Sequence, residues 1–144
     1  IPTNGIGGSV GLTVSAMCSV SLEPASLLVC VYGESPARHA IERNQCFAAN
    51  VLANDQQDIA LCFAGQVREL RHDRFAIAKW YPLATGSWGL PDAVAVFDCL
   101  VDRQYEYGTH SIFVGTVQEC HARDVDPLVH LRGGFTRPDP ADAE

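Results

Sequence analysis

Residues 9–21 read SVGLTVSAMCSVS. Val10, Leu12, Val14, Ala16, Cys18 and Val20 take the even positions; Ser9, Gly11, Thr13, Ser15, Met17, Ser19 and Ser21 take the odd ones. This period of two predicts a strand over 9–20 with one apolar face. The other face is almost wholly glycine and hydroxyl. A solvent-facing edge strand can look like this. Such faces are usually richer in Lys, Glu and Arg, however, and no charged side chain precedes Glu23. Small side chains also let a flat ligand approach the backbone. Hydroxyls with accessible amides suit a polar heteroaromatic ring or a phosphate.

Outward from this strand, TNGIGG at 3–8 predicts a turn, with Asn4-Gly5 as its hairpin signal. SLLVCVY at 26–32 is apolar nearly throughout and reads as a strand buried on both faces. Ser35 before Pro36 caps a short helix over 37–44. CFAANVL at 46–52 is a further buried strand, and Asn54 or Asp55 caps a second helix over 56–64. Residues 65–91, with HDRF, KWYP and GSWGLP, predict a long irregular connection of the kind that usually carries function. Strands follow at about 92–102, 109–121 and 127–135, the last interrupted at Gly133-Gly134. Six or so strands, two short helices and no regular βαβ alternation predict a mostly antiparallel β-barrel with small helical insertions.

The 144 residues suit one domain. With 47% hydrophobic and 19% charged residues the chain is globular, and no apolar run approaches the roughly 20 residues of a membrane helix. A net charge of −7 with scattered Lys and Arg argues against nucleic acid as a partner. Residues 138–144 form an acidic, proline-rich tail. The chain starts at Ile1 without a methionine, which leaves room for a preceding segment. None of the six cysteines shares a CxxC spacing, and most lie in apolar runs, so they read as reduced, buried thiols of a cytoplasmic protein. His110, His121 and His130 lack metal-ligand spacing, and no metal site is expected.

Five segments in order carry a resemblance: GLTVSAMCSVSLEPASLLVCV (11–31), ANVLANDQQDIALCFAGQ (49–66), HDRF followed by KW (72–80), GTHSIFVGTV (108–117) and PLVHLRGGF (127–135). Together they resemble the short-chain flavin reductases of the FMN-binding split-barrel superfamily, over about residues 5–137. The resemblance implies a mainly β fold: a six-stranded antiparallel split barrel of Greek-key type with two or three short helices. It places the domain at 1–137 and implies a helix and a strand preceding this chain. The closing motif departs from the family, with His130 and Phe135 standing where tyrosines are usual.

The implied chemistry is NAD(P)H-dependent reduction of FMN or FAD, in which the two cofactors do the hydride chemistry and no protein acid, base or nucleophile is strictly required. Leu12, Thr13, Val14, Ser15, Ala16 and Met17 match the segment lining the flavin ring, and Ser19 and Val20 the next contacts. Asn50, Val51 and Leu52 match a second lining strand. Arg74 and Phe75 match a further contact, and Ser35 suits the phosphate. His110 matches a histidine near the nicotinamide, with His130 and Phe135 on the same side. Trp80 and Trp88 are left open between core, dimer contact and ring stacking. The resemblance also implies a homodimer and a partner monooxygenase that consumes reduced flavin.

Two other functions compete: a reductase that keeps its flavin and passes electrons to an acceptor such as a corrin, and a flavin-binding redox module without turnover. A pyridoxal-phosphate oxidase relative would need clustered Lys and Arg, whereas Lys79 is the single lysine and nine arginines are dispersed.

Overall fold

A computed structural model describes residues 1–136 and Pro138. The acidic tail expected over 138–144 otherwise lies outside the described residues. In chain order the elements are β1 (Pro2–Thr3), β2 (Val10–Gly11), β3 (Met17–Leu22), β4 (Ala25–Tyr32), α1 (Pro36–Asn44), β5 (Cys46–Val51), α2 (Gln57–Phe63), β6 (Tyr81–Pro82), β7 (Trp88–Gly89), β8 (Ala95–Tyr107), β9 (His110–Ala122), β10 (Val129–Leu131) and β11 (Gly134–Thr136).

The main sheet has five strands in the order β3-β4-β9-β8-β5, all antiparallel. β5, β8 and β9 form a meander, and β4 lies beside β9 across a long connection, which is a Greek key. Three two-stranded ladders, β1-β2, β6-β7 and β10-β11, surround it. The antiparallel, mainly β expectation therefore holds. The expected six strands become five in one sheet plus six short ones. Register shifts between Asp98 and Cys99, between Val101 and Arg103, and in β3 between Ser19 and Ser21 bend the long strands.

Alternation along β4 turns Leu27, Val29 and Val31 inward, where they meet Ile41 of α1, Phe47 and Ala49 of β5, Cys99 of β8 and Phe113 of β9. Gly115 of β9 has no room for a side chain: a Cβ there would lie 2.6 Å from the Phe47 ring and 2.8 Å from Cys99 Cβ. A second cluster, Ala48, Leu83, Leu90, Ala93 and Val96, packs the β6-β7 hairpin under β5.

The strand expected over 9–20 is broken. Between β2 and β3 the chain leaves the ladder and turns onto α2. The Thr13 amide donates to the Phe63 carbonyl at 3.3 Å, and its hydroxyl to the Ala60 carbonyl at 2.7 Å. The cap of α2 also differs: Gln56, not Asn54 or Asp55, precedes the helix, and its side-chain oxygen accepts from the Ala53 amide at 2.9 Å. For α1 the expected cap is observed, with Ser35 Oγ accepting from the Ala37 amide at 3.3 Å. The long connection contains two 3-10 turns, Arg68–Leu70 and Arg74–Ile77, and the β6-β7 hairpin. The strand expected over 127–135 is a hairpin, with Arg132 (φ 53°) and Gly133 (φ 82°) making the two-residue turn between β10 and β11.

Candidate functional site

Two cavities adjoin along the break between β2 and β3, and Leu12 and Trp80 line both. The smaller, about 240 Å³, is walled by Thr13, Val14, Ser15 and Met17 on one side and by Asn50, Val51 and Leu52 at the end of β5 on the other. Phe63 of α2 lines it, and His130 and Phe135 reach it from β10 and β11. The two rings are paired across that hairpin with centroids 5.2 Å apart. No carboxylate or guanidinium lines this cavity.

The larger cavity, about 680 Å³, is lined at one point by Ser35, Pro36 and Ala37 where α1 begins. Residues 71–75 and both tryptophans, Trp80 and Trp88, also line it. Arg71 and Arg74 make this lining cationic, with Asp73 as the one carboxylate, and His72 lies between them. Arg74 is anchored by one nitrogen, Nη1 donating to the Phe63 carbonyl at 3.3 Å. Beneath it, burial raises the pKa of the Cys62 thiol, and the Arg74 charge offsets part of that rise.

An aromatic triad divides the two spaces. Phe63, Phe75 and Trp80 meet edge to face at centroid distances of 5.2, 5.6 and 5.3 Å. Gly11 lets the chain pass against this triad, because a Cβ there would lie 2.5 Å from Phe63 Cε1.

The donor set fits a phosphorylated flat heterocycle. A slot without carboxylate or guanidinium, with hydroxyls and an amide at its edge, can hold the ring. The adjoining space offers guanidinium groups to a phosphate.

The flavin reductase like domain model matches residues 1–139. The chain belongs to that family. The FMN reductase (NADH) RutF of Ancylobacter novellus is 39% identical over 112 residues, 78% of this chain and 61% of that protein. BorF, the flavin reductase component of a bacterial two-component tryptophan halogenase, matches with a TM-score of 0.84 at 34% identity, covering 96% of this chain and 88% of BorF. The NADH:FAD oxidoreductase of Streptomyces globisporus matches with a TM-score of 0.86 at 28% identity, covering 99% and 81%. The chain spans 61% of the length of the first curated relatives it matches.

Within this flavin reductase-like domain, most residues singled out in the sequence converge. Leu12, Ser35, Arg74 and Phe75 line the larger cavity; Leu12 again, Thr13, Val14, Ser15, Met17, Asn50, Val51, Leu52, His130 and Phe135 line the smaller. Four do not. Ala16 is tied to β4, its carbonyl accepting from the Cys30 amide at 3.0 Å, and Ser19 and Val20 lie exposed on β3 at the sheet's edge. His110 lines neither cavity: it starts β9, exposed, edge-on to Tyr32 at 5.9 Å and beside the Thr109 hydroxyl at 2.9 Å.

Two of the gathered residues are partly committed elsewhere. The Thr13 hydroxyl proton goes to α2, so Oγ1 is left to a ligand as an acceptor. Asn50 donates to the Trp88 carbonyl at 3.1 Å and accepts from the Leu90 amide at 2.7 Å, so it also sets the position of β7.

The sequence reading did not include Phe63, Arg71 or His72 in the site. HDRF was legible as a landmark, but the two successive 3-10 turns that bring Arg71 and Arg74 to one cavity were not. Trp80 and Trp88, left open earlier, both line the cleft.

Proposed function

We propose that this chain is an NADH- or NADPH-dependent flavin reductase that reduces FMN or FAD for a partner. One observation carries this reading: a slot without carboxylate or guanidinium and a cavity with two guanidinium groups adjoin and share Leu12 and Trp80. A reduced nicotinamide supplies hydride and a flavin accepts it, so the protein's task is binding and orientation. The smaller cavity holds the ring between the Thr13–Met17 segment and Asn50–Leu52. Thr13 Oγ1 accepts from the ring edge, and Ser15 Oγ, which has no protein partner among the described residues, donates to it. Those groups face the edge where negative charge develops. Arg74 and Ser35 hold the phosphate. His130 and Phe135 cover the nicotinamide side and exclude water. His110 stays outside this arrangement within one copy of the chain.

Residues 1–137 act as one such domain. The relatives bear the names FMN reductase (NADH), NADH:FAD oxidoreductase and halogenase flavin reductase component. They support NADH as reductant and an oxygenase- or halogenase-type consumer of reduced flavin. Among the described residues no helix is long and apolar enough to cross a membrane. All six cysteines are free, which supports a cytoplasmic setting.

The outer face of the sheet supports a homodimer. Tyr32, Leu100, Tyr105 and Tyr107 stand exposed there, Tyr107 at 80%. Sedimentation equilibrium is expected to give twice the chain mass; a monomer at all concentrations contradicts this.

The function is tested by steady-state oxidation of NADH and NADPH with and without excess free flavin. Turnover that requires added flavin is expected. Oxidation of neither nicotinamide would leave a flavin-binding module.

A further inference from the structure

His130 is the one titratable side chain on the lining of the smaller cavity, to which the facing segments bring no carboxylate, guanidinium, lysine or thiol. Its side chain is exposed and makes no hydrogen bond or ion pair among the described residues; its ring contact is Phe135, at 5.2 Å. None of the charged groups on its own hairpin or on the adjoining elements pairs with it. The Ile1 amine, on the same lining, donates to the Leu12 carbonyl at 2.7 Å. Asp126 and Arg123, in the segment leading to β10, line a separate cavity with Asp55 and Asp92, and Arg123 pairs with Asp92 at 3.3 Å. Arg132 sits in the exposed turn between β10 and β11.

The imidazole is nonetheless held in place. The Leu128 amide donates to the Leu52 carbonyl at 2.8 Å, the Asn54 amide donates to the Asp126 carbonyl at 2.8 Å, and Ala53 bridges to Pro127. The base of the hairpin is thus bonded to the end of β5, which forms another wall of the slot.

Histidine changes charge between about pH 5 and 8. The reductase reading, on which this inference rests, gives that charge something to act on. A reduced nicotinamide ring is neutral. Once its C4 has passed two electrons and a proton to the flavin, the ring is a cation. We propose that His130 discriminates the oxidised nicotinamide product from the reduced substrate. Its imidazolium repels the cationic ring and is indifferent to the neutral one, so the product is expelled at low pH and held longer as pH rises. The tyrosine usual at this position carries no charge in that range.

Calorimetry on the full chain with saturating oxidised FMN tests this, with NAD+ and its tetrahydronicotinamide analogue as probes. The analogue has a neutral ring and gives up no hydride. Every other titrating group acts on the parts the two ligands share, so the ratio of their affinities isolates the ring. NAD+ is expected to bind about tenfold tighter at pH 8 than at pH 5.5 relative to the analogue, the worth of one like-charge pair at a partly exposed site. His130→Gln and His130→Tyr, at an exposed position where folding is not at risk, are expected to hold the ratio at its pH 8 value throughout. A ratio that does not change with pH in the native chain, or a change that persists in both variants, overturns the proposal and leaves the reductase reading standing. Binding of neither probe overturns both.

Discussion

Thr85 turns both of its donors onto Asp98: the Thr85 amide reaches Asp98 Oδ2 at 2.9 Å, and the Thr85 hydroxyl bonds Oδ1. Asp98 is fully buried and has no cationic partner among the described residues, so these bonds carry its desolvation. They also hold the turn that leads into Trp88. The same charge, after burial itself, pushes the adjacent Cys99 thiol up to about 12. Asp98→Asn keeps the shape but replaces one acceptor oxygen with a donor facing Thr85. It is expected to cost about 1–3 kcal/mol in urea denaturation.

Ser15→Ala separates ligand contact from folding. Ser15 is exposed and lines the smaller cavity, and its hydroxyl bonds no protein group among the described residues. The expected outcome is flavin affinity lower by roughly fivefold, the worth of one hydrogen bond near 1 kcal/mol, with an unchanged urea midpoint. Thr13→Val is expected to behave differently, because it also takes a donor from the Ala60 carbonyl. Unchanged flavin affinity in Ser15→Ala would remove the 12–17 segment from the site.

Acid stability is expected to depend on Glu106. Its carboxylate accepts from Gln104, from the buried Ser111 hydroxyl and from Arg38, in that order of effect, and its pKa falls from 4.5 to about 2. A carboxyl with a depressed folded-state pKa stabilises the fold above its unfolded value. That contribution is full above about pH 5 and is lost as pH falls through 4 toward 2. Glu106→Gln is expected to lower the neutral-pH urea midpoint toward its acid value and so to flatten the fall over this range, with the midpoint near pH 2 nearly unchanged. An identical acid slope in the variant would show that the Arg38–Ser111–Glu106 cluster does not contribute.

Several elements were legible because local signals and tertiary packing agree. Ser35-Pro36 marks the start of α1, and the apolar runs mark β4 and β5, although β4, expected to be buried on both faces, buries only Leu27, Val29 and Val31 on one. The break at residues 12–16 was not legible, since Leu12, Val14 and Ala16 keep the alternation going. Its cause is long-range, in the carbonyls of Ala60 and Phe63 that take the Thr13 donors. The site followed the same division. Thr13–Met17 and Asn50–Leu52 were readable as segments, and the cleft gathers them. Arg71, Phe63 and Trp88 enter through a 3-10 turn, a helix end and a hairpin whose placement no local pattern reports. His110 lies apart from these cavities for the converse reason: its motif is local, while the start of β9 sets it beside Tyr32.

The central claim is that the cleft brings a reduced nicotinamide to a flavin that then leaves. Anaerobic mixing of the full chain with NADH and many equivalents of free FMN or FAD tests it most directly, read at the oxidised-flavin absorbance. The account predicts bleaching of many equivalents per chain. Bleaching that stops at one equivalent, or none with either nicotinamide, would contradict it.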